Sequence, residues 1–123
     1  MKEIREYDEK GNVINFKDDG GFEEWYEYDE KGNVIHLKNN EGLEGLEYWQ
    51  EFNKKGNLTH YKDNKDFEYW KEYDKKGNLT HFKNNNEYEY WKEFDKKGNV
   101  IHYEDNEGCE EWYDKNGNII KKQ

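Results

Sequence analysis

Apolar and polar residues alternate along this chain in short bursts, none long enough to form a helical stripe. In the burst Asp66-Phe-Glu-Tyr-Trp-Lys-Glu-Tyr73, an extended backbone places Phe67, Tyr69, Lys71 and Tyr73 on one side. Glu68, Trp70 and Glu72 fall on the other. The turn Asp74-Lys-Lys-Gly-Asn78 follows, then a second burst, Leu79-Thr-His-Phe-Lys83. Period-2 alternation on both sides of an Asp-x-x-Gly tetrad predicts a β-hairpin. Asp at the first turn position accepts backbone hydrogen bonds and Gly at the last takes the left-handed conformation, so a type I turn with a bulge is expected.

The hairpin recurs every 21 residues. Trp25, Trp49, Trp70 and Trp91 each stand seven residues before a turn glycine (Gly32, Gly56, Gly77, Gly98). Equivalent turns are Asp8–Gly11, Asp29–Gly32, Asn53–Gly56, Asp95–Gly98 and Asp114–Gly117. A fixed period of this length signals a supersecondary unit that is copied and stacked. The units run approximately 1–17, 18–38, 39–62, 63–83, 84–104 and 105–123 within one repeat domain, 1–123. Twelve short strands are expected, in an all-β antiparallel meander that forms a single twisted sheet or a short β-solenoid. Three extra residues between Asn39 and Gly45 fall in a return loop. A deletion of two between Trp112 and Gly117 preserves the alternation.

Composition narrows the picture. Hydrophobic residues are 31% of the chain and aromatics 18%, too little aliphatic material for a thick two-layer core. Charged residues reach 41%, but 11 Tyr, 6 Phe and 5 Trp separate the chain from disordered sequences. Net charge is −10 at pH 7 and Arg5 is the only arginine, which makes a poor phosphate clamp and disfavours direct nucleic-acid binding. A basic protein partner fits better. Residues 1–10 contain no apolar run, so no signal peptide, membrane anchor or membrane partner is expected, and a lone Cys109 suits a reducing, cytoplasmic setting. The two sheet edges leave a homodimer open.

Tyr7-Asp8, Tyr28-Asp29, Tyr73-Asp74 and Tyr113-Asp114, with the relaxed copies Phe52-Asn53 and Phe94-Asp95, resemble the YD repeats of Rhs and teneurin shells. The segment Trp70 to Asn78 is similar to MORN-like repeats of small bacterial antitoxin-type proteins, although the glycine those repeats carry before the Trp is absent. Choline-binding repeats share the Trp, Tyr and Gly rhythm but look like exported anchors. The YD and MORN resemblances imply a short, free-standing relative of the immunity, antitoxin or phage anti-CRISPR kind.

Catalytic chemistry finds no foothold. There is no Ser; Cys109 is flanked by Gly108, Glu110 and Glu111 rather than by a base, and reads as an apolar filler. Carboxylates repeated in identical settings do not make an acid–base pair. His36, His60, His81 and His102 form a row, but equivalent positions two strands apart lie about 9.6 Å from each other, too far for two of them to share one ion. They read as tolerant polar strand positions. No metal and no cofactor are expected, and the Asn/Asp loops read as turn chemistry rather than calcium ligands.

What remains is a face bearing Glu23, Trp25, Glu27; Glu47, Trp49, Glu51; Glu68, Trp70, Glu72; and Glu89, Trp91, Glu93. The Trp rings, with Trp112, are expected to form the core ladder against Ile35, Leu37, Phe82 and Tyr103, leaving the Glu rows exposed. The resulting reading is a non-enzymatic, acidic protein-binding inhibitor that occupies the basic nucleic-acid-handling surface of a nuclease toxin or CRISPR effector. The alternative is a structural or carbohydrate-binding (cell-wall) β-repeat module.

Overall fold

The computed structural model describes residues 2–123. They form six hairpins, pairing β1 (Glu3–Tyr7) with β2 (Val13–Asp18), β3 (Glu23–Tyr28) with β4 (Val34–Asn39), and β5 (Glu47–Phe52) with β6 (Leu58–Asp63). Then come β7 (Glu68–Tyr73) with β8 (Leu79–Asn84), β9 (Glu89–Phe94) with β10 (Val100–Asp105), and β11 (Glu110–Tyr113) with β12 (Ile119–Lys122). Strand order follows chain order from β1 to β12, an antiparallel meander that does not close, with no helix among the described residues. The chain divides into two compact units, one ending at Phe67 and one spanning Glu68–Gln123.

Each hairpin turn is built by its first side chain. Asp8 Oδ1 accepts the N–H groups of Lys10 and Asn12, both at 2.9 Å, and its Oδ2 accepts the Asn12 amide at 3.2 Å. The Gly11 N–H closes on the Asp8 carbonyl at 3.1 Å, and Gly11 has φ +87°. Asp29, Asn53, Asp74, Asp95 and Asp114 repeat the pattern. Bonds from the backbone and side chain of the following Asn hold the Asp29 carboxyl below its ordinary value. The expected bulge follows every turn: Tyr28 pairs with Val34 and Glu27 with His36, leaving Ile35 unpaired.

The return loops use the same device. Asp18 Oδ1 accepts Gly20 N–H at 2.8 Å and Phe22 N–H at 3.0 Å, and Asp105 caps Glu107 and Cys109 likewise. A second layer of bonding ties each return loop to the preceding one. Asn40 gives its amide to the Gly21 carbonyl at 2.8 Å and accepts Glu23 N–H at 2.8 Å; Asn64, Asn85 and Asn106 each accept the N–H of Glu47, Glu68 and Glu89. Loop asparagines therefore do more than shape turns.

The two faces differ in kind. In the first unit Leu37, flanked by Tyr26 and Tyr48 on neighbouring strands, is the buried apolar residue at 8% exposure. Ring pairs Phe16–Phe22, Tyr48–Tyr61 and Tyr61–Phe67 lie 5.6–6.1 Å apart on the same face. In the second unit Phe82 sits among Tyr69, Tyr88 and Tyr90 at 5.3–6.2 Å. The Tyr and Phe rings, not the Trp rings, supply the core. Trp25, Trp49, Trp70 and Trp91 are 38–40% exposed, and Leu37, Phe82 and Tyr103 lie across from Tyr26, Tyr90 and Lys92, while Ile35 is a bulge residue. The expected Trp core ladder is thus corrected. Period 2 assigns both kinds of ring to opposite faces, and the side richer in Tyr and Phe has fewer charges to desolvate.

Two loop positions test this account. Gly45 has φ +71°, and a Cβ there would stand 2.3 Å from the Asn39 carbonyl oxygen, so Gly45→Ala should destabilise the protein by more than about 1–2 kcal/mol. Glu87 holds φ +67° without being glycine, and Glu87→Gly should raise stability by up to about 1 kcal/mol in urea unfolding.

Candidate functional site

The face opposite the Tyr and Phe rings carries every acidic and aromatic residue expected of the site. Cross-strand register sets the neighbours of the Trp rings. Trp49 stands between His36 and Lys62, Trp25 between Asn15 and Lys38, Trp91 between His81 and Glu104. Trp70 is paired with Lys83. The neighbouring imidazole lies flat on the indole: His36–Trp49, His81–Trp91 and His102–Trp112 centroids are 4.9–5.3 Å apart with planes within 11°. Half-exposed indoles are stabilised by these stacks, where deeper burial is not available.

The carboxylates hold the imidazoles. His36 Nδ1 meets Glu27 at 2.6 Å and its Nε2 meets Glu47 at 2.7 Å. His81 is held by Glu72 and Glu89, both at 2.6 Å, and His102 by Glu93 and Glu110, both at 2.8 Å. Glu51 bonds His60 Nδ1 at 2.8 Å. The two carboxylates of a clamp are not equivalent: Glu47, Glu89 and Glu110 keep about a quarter of their side-chain surface, Glu51, Glu72 and Glu93 about 70%. Glu27 belongs to the outer row and Glu23 to the inner. In the first hairpin Asn15 replaces His and gives its amide to Glu23 at 3.0 Å; in the last, Lys121 stands 4.9 Å above Trp112.

The histidines are therefore structural members of the site, which the sequence reading did not assign to them. The signal was present: Glu27 stands two residues before Asp29 and His36 four after Gly32, positions that the bulge at Ile35 brings opposite each other on the two arms of one hairpin. Partial burial opposes charge on His36 and His81, yet the paired Glu bonds outweigh it and raise both above the ordinary histidine value. For His102 the Glu93 bond is the largest cause of a rise, with burial opposing and Glu110 adding. When protonated, His36, His81 and His102 donate from both ring nitrogens, which sets one cation against two carboxylates. Cys109 lies outside the face; a bond to Glu111 and partial burial push its thiol up, which suits an inert group.

A histidine whose value is raised on folding adds stability that is complete below its unfolded value of about 6.5 and is lost as pH climbs through the folded value. The thermal midpoint should therefore fall as pH rises above about 6.5. The triple variant His36→Asn, His81→Asn, His102→Asn, which copies the arrangement at Asn15, should show a shallower fall by circular dichroism. An unchanged pH slope would remove the clamps from the explanation.

Comparison with known proteins gives fold likeness alone. No protein-family pattern and no characterised protein sequence matches the chain. Among solved structures, a crystal structure of TcdB2–TccC3 superposes with TM-score 0.65 at 16% identity, covering 98% of this chain and 6% of that one. A Photorhabdus luminescens Tc holotoxin pore carrying the TccC3 D651A mutation gives the same TM-score and identity over 85% of this chain and 5% of that one. The chain spans about a twentieth of the length of these neighbours. The shared element is the repeated antiparallel hairpin meander, which accords with the YD-like pattern of the sequence.

Proposed function

We propose that the chain is a non-enzymatic repeat module whose Trp/His/Glu face binds a basic protein surface, and that the surface it covers is the nucleic-acid-handling groove of a nuclease toxin or RNA-guided effector. The observation that carries this reading is the double row itself. Indoles 38–40% exposed alternate with outer carboxylates about 70% exposed, on the face that is not the core. Exposed aromatics supply desolvation energy at an interface and the carboxylates steer a cationic partner. A net charge of −10 extends that field. Repetition of the clamp along the face supports binding over catalysis, because the His36 and His81 clamps present the same pair of carboxylates in the same setting.

The second reading, a structural repeat module, draws on the hairpin meander shared with TcdB2–TccC3. A sugar-stacking form of it has less support. Sugars need an open ring face, and one face of Trp49, Trp91 and Trp112 is already covered by imidazole.

Reversing only the outer row, Glu51→Lys, Glu72→Lys and Glu93→Lys, should leave the Tyr/Phe core unchanged and weaken capture of the basic partner at least tenfold. Binding of the unmodified protein should fall steeply as salt rises from about 0.1 M to 1 M, over which the screening length drops from about 10 Å to 3 Å. Capture indifferent to both salt and charge reversal would reject the electrostatic face; quenching of Trp fluorescence by glycans would favour the sugar module.

A further inference from the structure

One clamp departs from its copies in a way that changes its chemistry. Beside the inner carboxylate, the position two residues after the clamp residue is Lys17 opposite Glu23, Lys38 opposite Glu47 and Lys83 opposite Glu89, an attractive cross-strand pair each time. In the fourth clamp Glu104 takes this place, directly opposite Glu110. Two like charges in register on one face are destabilising where the other copies gain. His102, beside the two carboxylates, already has both nitrogens engaged by Glu93 and Glu110. Lys in the other copies neutralises the position; here something else must.

We propose that His102, Glu104 and Glu110 bind one divalent transition-metal cation of the zinc type. One ring nitrogen of His102 and one oxygen from each carboxylate lie within 4.8 Å of one another, and Nε2 is the nitrogen that faces Glu110. Ligands about 2.0–2.2 Å from a central zinc stand some 3.5 Å apart, so a small contraction completes the site. Alternation puts His102 and Glu104 on one face of β10 two residues apart, and Glu110 reaches them from β11. Glu104 is exposed. Glu93 on Nδ1 at 2.8 Å fixes the tautomer that presents Nε2 to the ion, the arrangement of a carboxylate–histidine–metal relay. The cation takes the place of the proton between His102 and Glu110, and water fills the remaining coordination. The ratio of two carboxylates and one imidazole suits zinc, manganese or nickel over calcium, which prefers six or more oxygens. The earlier exclusion of a shared ion among the histidines still holds, because this site uses one histidine and draws its other ligands from Glu.

The test is zinc chloride titrated into tag-free, full-length protein by calorimetry and thermal unfolding, beside Glu104→Lys and Glu93→Gln. The unmodified chain should bind a single equivalent and unfold several degrees higher at saturating zinc. Glu104→Lys, which restores the pairing of the other copies, should unfold higher than the unmodified chain without zinc and show no zinc-dependent rise. Glu93→Gln should bind about 10–100-fold more weakly. Absence of saturable binding to zinc, manganese and nickel, or binding undiminished in Glu104→Lys, would overturn the site. None of these readouts depends on a protein partner, so the outcome is separate from the fate of the acidic-face reading.

Discussion

Within each unit, every strand touches only the strands before and after it in the chain. That single constraint governs the rest. With no second layer to cover a face, burial must come from side chains lying along the sheet over their cross-strand neighbours. Large flat rings and long amphipathic stems are the side chains that can do this. It accounts for a composition in which aromatics make up over half of the hydrophobic residues, and for the lack of any fully buried side chain among the described residues. Each cross-strand pair contributes on the order of 0.2–1 kcal/mol, and stability accumulates as a series of nearest-neighbour terms. The three-residue insertion before Gly45 is tolerated for the same reason: Asn39 Oδ1 still caps Glu41 and Leu46 at 3.1 Å, so the loop lengthens without altering the pairing on either side.

The same constraint gives the functional face its character. Indoles that cannot be covered by another layer stack on imidazoles, and those imidazoles are fixed by paired carboxylates. The inner Glu of each pair is partly sheltered and serves the stack; the outer Glu keeps most of its surface and serves the solvent-facing field. Structure and presentation are thereby divided between two residues four positions apart on the same strand, as in Glu47 and Glu51. Reversing charge in the outer row is consequently a sharper probe than reversing both rows, since the inner row also supports the rings.

Local features of the fold were legible in the sequence because they are encoded within a few residues. Asp8 to Gly11 specifies its own turn, the bulge follows from that turn, and period 2 sorts Trp70 from Tyr69. The destination of the Trp rings was not legible in that way. Size argues for burial of Trp, but burial depends on which face is poorer in charge, and that is a property of a whole row. The histidine clamps were hidden by register: Glu27 and His36 meet across a turn, while His36 and Glu47 meet across a return loop of altered length. The asparagine ladder from Asn40 to Gly21 spans 19 residues and has no sequence signature of its own.

In a repeat, positions that keep the period answer a need every copy shares, so the departures carry the individual information. They differ in kind. Asn15 departs from His yet retains a donor toward Glu23, and Lys121 departs from it yet keeps a cation over Trp112. Both preserve the physical role of the residue they replace. Glu104 preserves nothing: it reverses the sign of a cross-strand pair and sets two carboxylates beside an imidazole that is already oriented by a third. A substitution that costs stability without serving the fold calls for a compensating charge, and a cation is the smallest species that can satisfy all three groups at once.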